Sequence, residues 1–291
     1  MSGERAGGEA KRRSLWLNVW RRLKRNRLAM AGLAVLLALV LMAIFAPWIA
    51  PFGYDDQNLD ESFVSPCPSH PMGTDNLGRD VMSRLIYGSR ISLQLGLVSV
   101  AIALAAGGGL GAVSGFYGGK VDDIVMRCMD VFQSIPSMLL AIAIAASLGP
   151  GMMNAMIAIG ISSVPGYARL IRGSILSIRE SEYIEAARAI TASNPRIILK
   201  HIIPNVLSPM LVQATLGIAG AIITAASLSF IGLGAQPPIP EWGAMIAGGR
   251  NYIQNYWYIV TFPGLAIMVT VVSFNLVGDG VRDALDPRLS R

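Results

Sequence analysis

Few side chains in this 291-residue sequence could do chemistry, and they do not form a catalytic set. There are two histidines, His70 and His201, and two cysteines, Cys67 and Cys128. Neither H-E-x-x-H nor G-x-S-x-G occurs, the patterns that hold a catalytic zinc ion or expose a nucleophilic serine. Two cysteines are too few for a disulfide framework or a zinc site. The sequence therefore predicts no catalytic residues, no metal site and no enzyme.

One glycine-rich segment comes close to a nucleotide-binding loop. In G-x-x-x-x-G-K-[ST], backbone N–H groups hold phosphates, the lysine reaches the terminal phosphates and the hydroxyl holds magnesium. Gly119 and Lys120 fit this pattern, but Ser114 stands at the first glycine and Val121 replaces the hydroxyl residue. We therefore expect that this chain itself binds no cofactor.

The composition points to a membrane. The chain is 53% hydrophobic and 14% charged, whereas soluble domains carry about 25% charged residues. A helix needs about 20 mostly apolar residues to cross a bilayer. Six segments of this kind lack Asp, Glu, Lys and Arg: Leu28–Ala50, Ile91–Phe116, Phe132–Gly149, Gly151–Ala168, Ile203–Leu233 and Tyr258–Val277. The fold class predicted is an all-α integral membrane protein with six transmembrane helices.

The first apolar segment has two interpretations. It follows a basic segment, as the core of a cleaved signal peptide does. Its apolar run is longer than the roughly 7–15 residues of such a core, which favours an uncleaved anchor at residues 28–50.

Basic residues predict the orientation. If residues 1–27 are cytoplasmic, twenty Lys and Arg residues fall on the cytoplasmic side and four on the other. Cytoplasmic loops carry such an excess, so both termini are predicted to be cytoplasmic. The basic residues lie beside apolar segments, which favours this over nucleic-acid binding for a chain of net charge +6. The chain then divides into a basic segment 1–27, the anchor 28–50, an extracytoplasmic loop 51–90, a five-helix core 91–280 with a cytoplasmic loop 169–202, and a tail 281–291.

The predicted spans lack groups that could drive transport. Ion-coupled carriers usually place carboxylates, histidines or lysines within the bilayer, and none lies in these six segments. The energy for any transport is therefore expected to come from another protein.

A glycine stripe predicts close helix packing. Gly107, Gly111 and Gly115 recur every four residues in the second segment. Small residues at this spacing let a second helix approach backbone to backbone. Glycine is also generally common in membrane helices, and the pattern does not say which helix approaches.

The cytoplasmic loop between the fourth and fifth spans predicts a helix–turn–helix. Ser181 can cap a short helix that carries Glu185-Ala186-Ala187-Arg188, and Asn194 with Pro195 can start a second. Its small-residue face fits a groove in another protein. An amphipathic helix lying at the headgroups explains the residues equally well.

This loop resembles a known one. Glu185-Ala186-Ala187, followed later by Ile202-Ile203-Pro204-Asn205, is similar to the EAA loop of the permeases of binding-protein-dependent ABC importers. The resemblance implies a coupling helix that docks into cytoplasmic ATPases, which carry the ATP and Mg. It implies coupling roles for Tyr183, Glu185, Ala186, Ala187, Arg188, Thr191, Pro204 and Asn205. Thr191 stands where the family pattern usually has glycine, so the turn is made differently here.

Three further blocks resemble the C-type permease subunit of dipeptide, oligopeptide, glutathione or nickel importers: His70–Asp80, Ser227–Gly243 and Asn275–Pro287. The first block lies in the external loop. It is either a turn held by ion pairs or a contact with an external binding protein, and the residues concerned are Gly73, Thr74, Asp75, Gly78, Arg79 and Asp80.

The resemblance implies a permease of a prokaryotic inner membrane that carries di- or oligopeptides and forms half of a translocation pathway. The implied partners are a homologous B-type permease, two ABC ATPases, an extracytoplasmic substrate-binding protein and membrane lipid, without nucleic acid. A secondary carrier and a non-transporting scaffold are the alternatives. Affinity for the ligand normally resides in the binding protein, so the permease sequence does not select among peptide, glutathione and nickel.

Overall fold

The computed structural model describes residues 20–179, 194–197 and 202–285, and the regular structure in these ranges is helical. The described ranges contain no strand beyond one isolated bridge between Thr74 and Asp80. The α-helices, in chain order, are α1 Arg27–Ile44, α2 Ala46–Ile49, α3 Val81–Tyr117, α4 Gly119–Gln133, α5 Ser137–Leu148, α6 Met152–Arg179, α7 Asn194–Ile197, α8 Ile203–Phe230, α9 Trp242–Gly249 and α10 Tyr258–Leu285. Two 3-10 turns, Leu59–Glu61 and Arg250–Tyr252, complete the set.

The long helices lie side by side in one bundle. We call its two ends the Asp80 end, where α3 begins, and the Gly118 end, where α3 stops. The helices α3 and α6 run parallel, because Gly107 faces Val164 while Gly115 faces Arg172. Helix α8 runs against α3 and α10 runs against α1, so both described ends of the chain lie at the Gly118 end.

Four of the described helices are long and apolar enough to cross a membrane, namely α1, α3, α8 and α10. The pair α4 and α5 makes a fifth crossing if it counts as one broken span, bent by 86°. Helix α6 has 28 residues but is not in this apolar set. Asn154, Pro165 and Arg169 lower its hydropathy. The helical membrane class is thus confirmed, while the count of six spans stays a prediction.

Several span boundaries differ from the prediction. Helix α3 begins ten residues before Ile91, because Asp80 caps it and Arg84 is buried rather than facing lipid. The predicted span Phe132–Gly149 is broken at residues 134–136. Pro136 lacks an N–H and also restricts Ile135 before it, so the helix stops and restarts.

The other differences are extensions and early stops. Helix α6 continues past Ala168 to Arg179, and α10 continues past Val277 to Leu285. Helix α1 stops at Ile44, before the short helix α2. Helix α8 stops at Phe230, because the chain reverses at Gly232, which has a φ of 86°.

The most extensive helix contact joins α3 to α6. It follows the glycine stripe. A Cβ atom on Gly107 would lie 2.6 Å from the Val164 carbonyl oxygen, and one on Gly111 would lie 2.4 Å from that of Ala168. At Gly115 the nearest atom is Ile175 Cβ, at 3.0 Å. The two backbones therefore touch along this length, and we call the contact the glycine seam.

Candidate functional site

A polar cavity of about 250 Å³ lies between α3, α5, α6 and α8, half-way along the bundle. Its walls carry hydroxyl and amide groups but, among the described lining residues, no charged side chain. We call it the serine cavity. The polar lining residues are Ser99, Ser137, Ser162, Ser163, Tyr167, Gln213 and Thr224.

A second cavity, of about 330 Å³, adjoins the first at the bend between α4 and α5. Pro136 and Pro165 both line it, and we call it the proline cavity. The two cavities share Ser137, Ser162, Ser163 and Gly166 in their walls. They therefore form one continuous polar region beside the middle of α6.

Most hydroxyls of the serine cavity already donate to the backbone. Ser163 Oγ donates to the Ile159 carbonyl oxygen at 2.8 Å, and Thr224 Oγ1 donates to that of Gly220 at 2.9 Å. Tyr167 Oη donates across to the Gln213 carbonyl oxygen at 3.3 Å. A hydroxyl that has donated keeps two acceptor lone pairs. These three hydroxyls therefore offer acceptors to the cavity.

Ser99 differs from these three hydroxyls. Its side chain is 1% exposed, and its Oγ has no hydrogen-bond partner among the described residues. Leaving a buried hydroxyl unpaired costs about 1–3 kcal/mol. Ser99 thus lines the cavity with both a donor and an acceptor unused.

At the Gly118 end, one carboxylate joins three helices. Arg172 on α6 donates to Asp122 on α4 through two nitrogens. Ser114 on α3 donates to the same carboxylate. Arg179 Nη1 also donates to the Gly115 carbonyl oxygen at 3.4 Å. We call this group the Asp122 clamp. It fixes the α3–α4 turn to the last turns of α6.

The described residues that follow the predicted coupling helix pack into one apolar cluster. Ile197 and Ile202 are both fully buried there. They pack with residues of α3, α6 and α8, which are Ala112, Phe116, Ile171, Ile175 and Val206. We call it the flank cluster. The cluster therefore joins the segment after the coupling residues to α6, which precedes them, and to α3 and α8.

The predicted coupling residues Tyr183, Glu185, Ala186, Ala187, Arg188 and Thr191 lie outside the described residues. Pro204 and Asn205 lie in the first turn of α8, where a proline is well tolerated because the first N–H groups have no helical partner. Asn205 is exposed.

At the Asp80 end, the predicted external residues Gly73–Asp80 form one hydrogen-bonded turn, which we call the external turn. Asp75 accepts from the backbone N–H groups of Leu77 and Arg79 at 2.8 and 3.1 Å. Its other oxygen accepts from Arg79 Nε at 2.7 Å. Thr74 Oγ1 accepts from the N–H of Val64 and donates to the Glu61 carbonyl oxygen. Gly73 and Gly78 have φ values of 76° and 70°, which suit glycine.

Asp80 is the last residue of the external turn. It is 2% exposed, caps α3 by accepting from the Ser83 N–H at 2.6 Å, and accepts from His70 Nδ1 at 2.9 Å. His70 stacks on Phe52. The acidic side chains of this block therefore face the chain itself, as expected for a structural turn. No partner is present, so a contact with a binding protein stays a prediction.

Comparison with known proteins places this architecture. Residues 107–291 match the family described as the binding-protein-dependent transport system inner membrane component. Residues 14–66 match the N-terminal transmembrane domain of oligopeptide transport permease C. The chain belongs to the family of binding-protein-dependent transport permeases. The permease is thus a transport subunit of an inner-membrane family and not an enzyme, as its sequence predicts.

Relatives and solved structures agree. The permease is 47% identical over 276 residues to the dipeptide transport system permease protein DppC of Alkalihalophilus pseudofirmus, covering 95% of this chain and 91% of the relative. It is 44% identical over 280 residues to the glutathione transport system permease protein GsiD of Pectobacterium atrosepticum, covering 95% and 92%. The inward-facing MetNI methionine ABC transporter matches with a TM-score of 0.59 at 21% identity, covering 71% of this chain and 98% of that one. That last likeness shows the fold alone.

Sequence reasoning missed two carboxylate sites in the permease. Asp122 and Arg172 are 50 positions apart, and no local pattern joins them. Glu241 is 2% exposed and caps α9 through the N–H groups of Gly243 and Ala244. It also accepts from Ser92 Oγ at 3.2 Å. Glutamate is an unusual helix cap, so the cap rules did not single it out.

Proposed function

We propose that this permease forms half of the translocation pathway of an ATP-driven importer for dipeptides and short oligopeptides. It pairs with a homologous B-type permease, docks on two ABC ATPases and receives its ligand from an extracytoplasmic binding protein. The observation that carries the proposal is the 47% identity to a dipeptide permease along 95% of this chain.

The proposed coupling runs through the Gly118 end. ATP binding closes the ATPases, which displace the Glu185 segment. The flank cluster and the Asp122 clamp support this route, because they join the residues after that segment and the end of α6 before it to α3, α4 and α8. Coupling of this kind is a shared conformational equilibrium that both ligands bias.

The proposed orientation places the Gly118 end in the cytoplasm. The support is the excess of Lys and Arg on that side, twenty against four. The two cysteines test it, because both are free and they belong to opposite ends. In intact spheroplasts, an impermeant maleimide should label a variant that retains Cys67 and not one that retains Cys128. The reverse pattern would invert the topology.

Uptake of labelled Ala-Ala by cells that carry the complete importer tests the function. Glu185→Lys, with normal membrane insertion, should abolish uptake because the coupling segment no longer docks. Asp283→Lys is the matched control, a charge reversal on an exposed residue at the same end of the bundle, and should leave uptake unchanged. Normal uptake by Glu185→Lys would contradict the coupling role, and no ATP-dependent uptake by the wild type would contradict the function.

Glutathione is the second candidate ligand, favoured by relatives named as glutathione permeases at 44% and 46% identity. Competition decides between them. Excess unlabelled Ala-Ala should suppress uptake of its labelled form more strongly than excess glutathione does, if dipeptides are the ligand.

A further inference from the structure

We propose that the serine cavity is a subsite of the translocation pathway that binds the main chain of a passing peptide through its N–H groups. The inference rests on the proposed function and adds to it a place and a chemistry.

The hydrogen-bonding state of the wall selects the ligand chemistry. Ser162 and Ser163 both donate to the Ile159 carbonyl oxygen, and Thr224 donates to that of Gly220. Their protons are committed to the helices, so their oxygens remain as acceptors toward the cavity. A ligand that binds to these three oxygens must therefore bring donors. Peptide N–H groups and a peptide amino terminus are such donors.

Ser99 is an independent sign of a ligand. Many helix serines and threonines here bond to the carbonyl one turn back, as Ser174 does to Leu170 and Thr215 to Leu211. Ser99 does not, although it is 1% exposed and lines the cavity. Buried hydroxyls are normally paired, and an exception requires an explanation. A ligand in the cavity supplies the missing partner.

The lack of charge in the lining fits a pathway for many peptides. The described lining residues of both cavities carry no charged side chain. An acidic or basic residue there would favour peptides of one charge and hold them tightly. Neutral acceptors instead bind what all peptides share, the main chain, and release it readily.

The mouth of the cavity lies open at two glycines. Gly166 on α6 and Gly220 on α8 are both exposed and both line the cavity. An added Cβ at either would meet no atom of the described chain within 4 Å. A larger side chain at these positions therefore fills space that a ligand would use without displacing the helices of the permease.

The test uses the complete importer in proteoliposomes with labelled Ala-Ala. Gly220→Leu should lower uptake about tenfold, as the loss of one sizeable binding contribution does, while ATPase activity stimulated by the binding protein stays near that of the wild type. Leucine favours a helix more than glycine does, so helix formation is not impaired. Gly109→Leu is the matched control, because Gly109 is also exposed with nothing within 4 Å but lies outside both cavities.

Ser99→Ala gives a second measurement. Its hydroxyl has no partner among the described residues, so its removal should leave stability unchanged or improved. The KM for Ala-Ala should rise about fivefold, the effect of one lost hydrogen bond, with kcat for ATP hydrolysis unchanged.

The outcomes separate the two proposals. A wild-type importer that takes up no peptide contradicts the proposed function. A working wild type with full uptake by both Gly220→Leu and Ser99→Ala overturns the cavity subsite alone. So does loss of the partner permease from purified Gly220→Leu complexes, since the partner and not the ligand would then occupy this mouth.

Discussion

Arg172 forms a bidentate ion pair with Asp122 through two nitrogens of its guanidinium group. Nε donates to Oδ1 and Nη2 donates to Oδ2, each at 2.5 Å. This two-point geometry is stronger and more directional than a single charge contact. It joins α6 to α4 next to the turn at Gly118, and Ser114 extends it to α3. Three helices at this end therefore depend on one carboxylate.

The first prediction concerns this clamp. Arg172→Lys keeps the charge but cannot reproduce the planar pair of N–H donors that binds both carboxylate oxygens. It should lower stability by about 1 kcal/mol, a value reduced because Arg172 is partly exposed. The melting temperature of the purified permease complex measures this. ATPase activity in the absence of ligand should also rise, because α4 and α6 are no longer held together.

Asp130→Asn is the control for the clamp. Asp130 pairs with Arg169 on the same two helices, but both side chains are well exposed, at 62% and 42%. Exposed pairs contribute about 0–1 kcal/mol, so the melting temperature should change little. Equal losses in the two variants would show that the clamp has no special role.

The second prediction concerns the glycine seam. Gly111→Ala places a Cβ atom 2.4 Å from the Ala168 carbonyl oxygen, which forces α3 and α6 apart. Overpacking of this kind costs about 1–3 kcal/mol. Gly109→Ala, two positions away and open to space, should not destabilise the protein. Thermal unfolding in detergent compares them, and equal melting temperatures would argue against close packing here.

The third prediction distinguishes between a structural role and a binding role for the external turn. Asp80→Ala removes the cap of α3 and leaves His70 and the Ser83 N–H without their acceptor. It should cost about 2–3 kcal/mol, read as a lower melting temperature. Asp60→Ala, on an exposed residue of the same loop, should cost little. If Asp80→Ala instead keeps full stability and loses affinity for the binding protein, Asp80 is a contact residue.

The fourth prediction is a pH dependence. The Ser69 hydroxyl lies 3.1 Å from Cys67 Sγ and, by hydrogen bonding, lowers the pKa of this thiol below its usual value. The thiolate is the reactive form, so alkylation of Cys67 should reach half its maximal rate at a lower pH than alkylation of a cysteine in an unstructured peptide. Ser69→Ala should move this midpoint upward and slow labelling at neutral pH. Measurements use a Cys128→Ser background. An unchanged midpoint in Ser69→Ala would show that Ser69 does not lower the pKa of Cys67.

The sequence was most informative where a pattern is local. Runs without charge located α1, α8 and α10, and positions 107, 111 and 115 announced a close helix contact. The partner of that contact could not be read from the sequence, because the facing surface on α6 is backbone between Val164 and Ile175 and has no pattern of its own.

The remaining features depend on contacts between distant segments. Because Arg84 is charged, the predicted apolar span left out the first turns of α3. In the structure Arg84 is buried and donates to the Tyr54 carbonyl oxygen at 2.7 Å. The serine cavity draws on four helices, and its serines individually resemble those of any membrane helix. Pro136 was visible, but whether a proline bends or breaks a helix depends on what packs around it.

The glycine seam has a mechanical consequence. Side chains between helices can change rotamers and so permit sliding, but two backbones in contact cannot. Helices α3 and α6 are therefore expected to behave as one rigid unit from Gly107 to Gly115. When the importer changes state, we expect α3 and α6 to turn together as a single body and the bundle to flex at the bend near Pro136, where the helix is already interrupted.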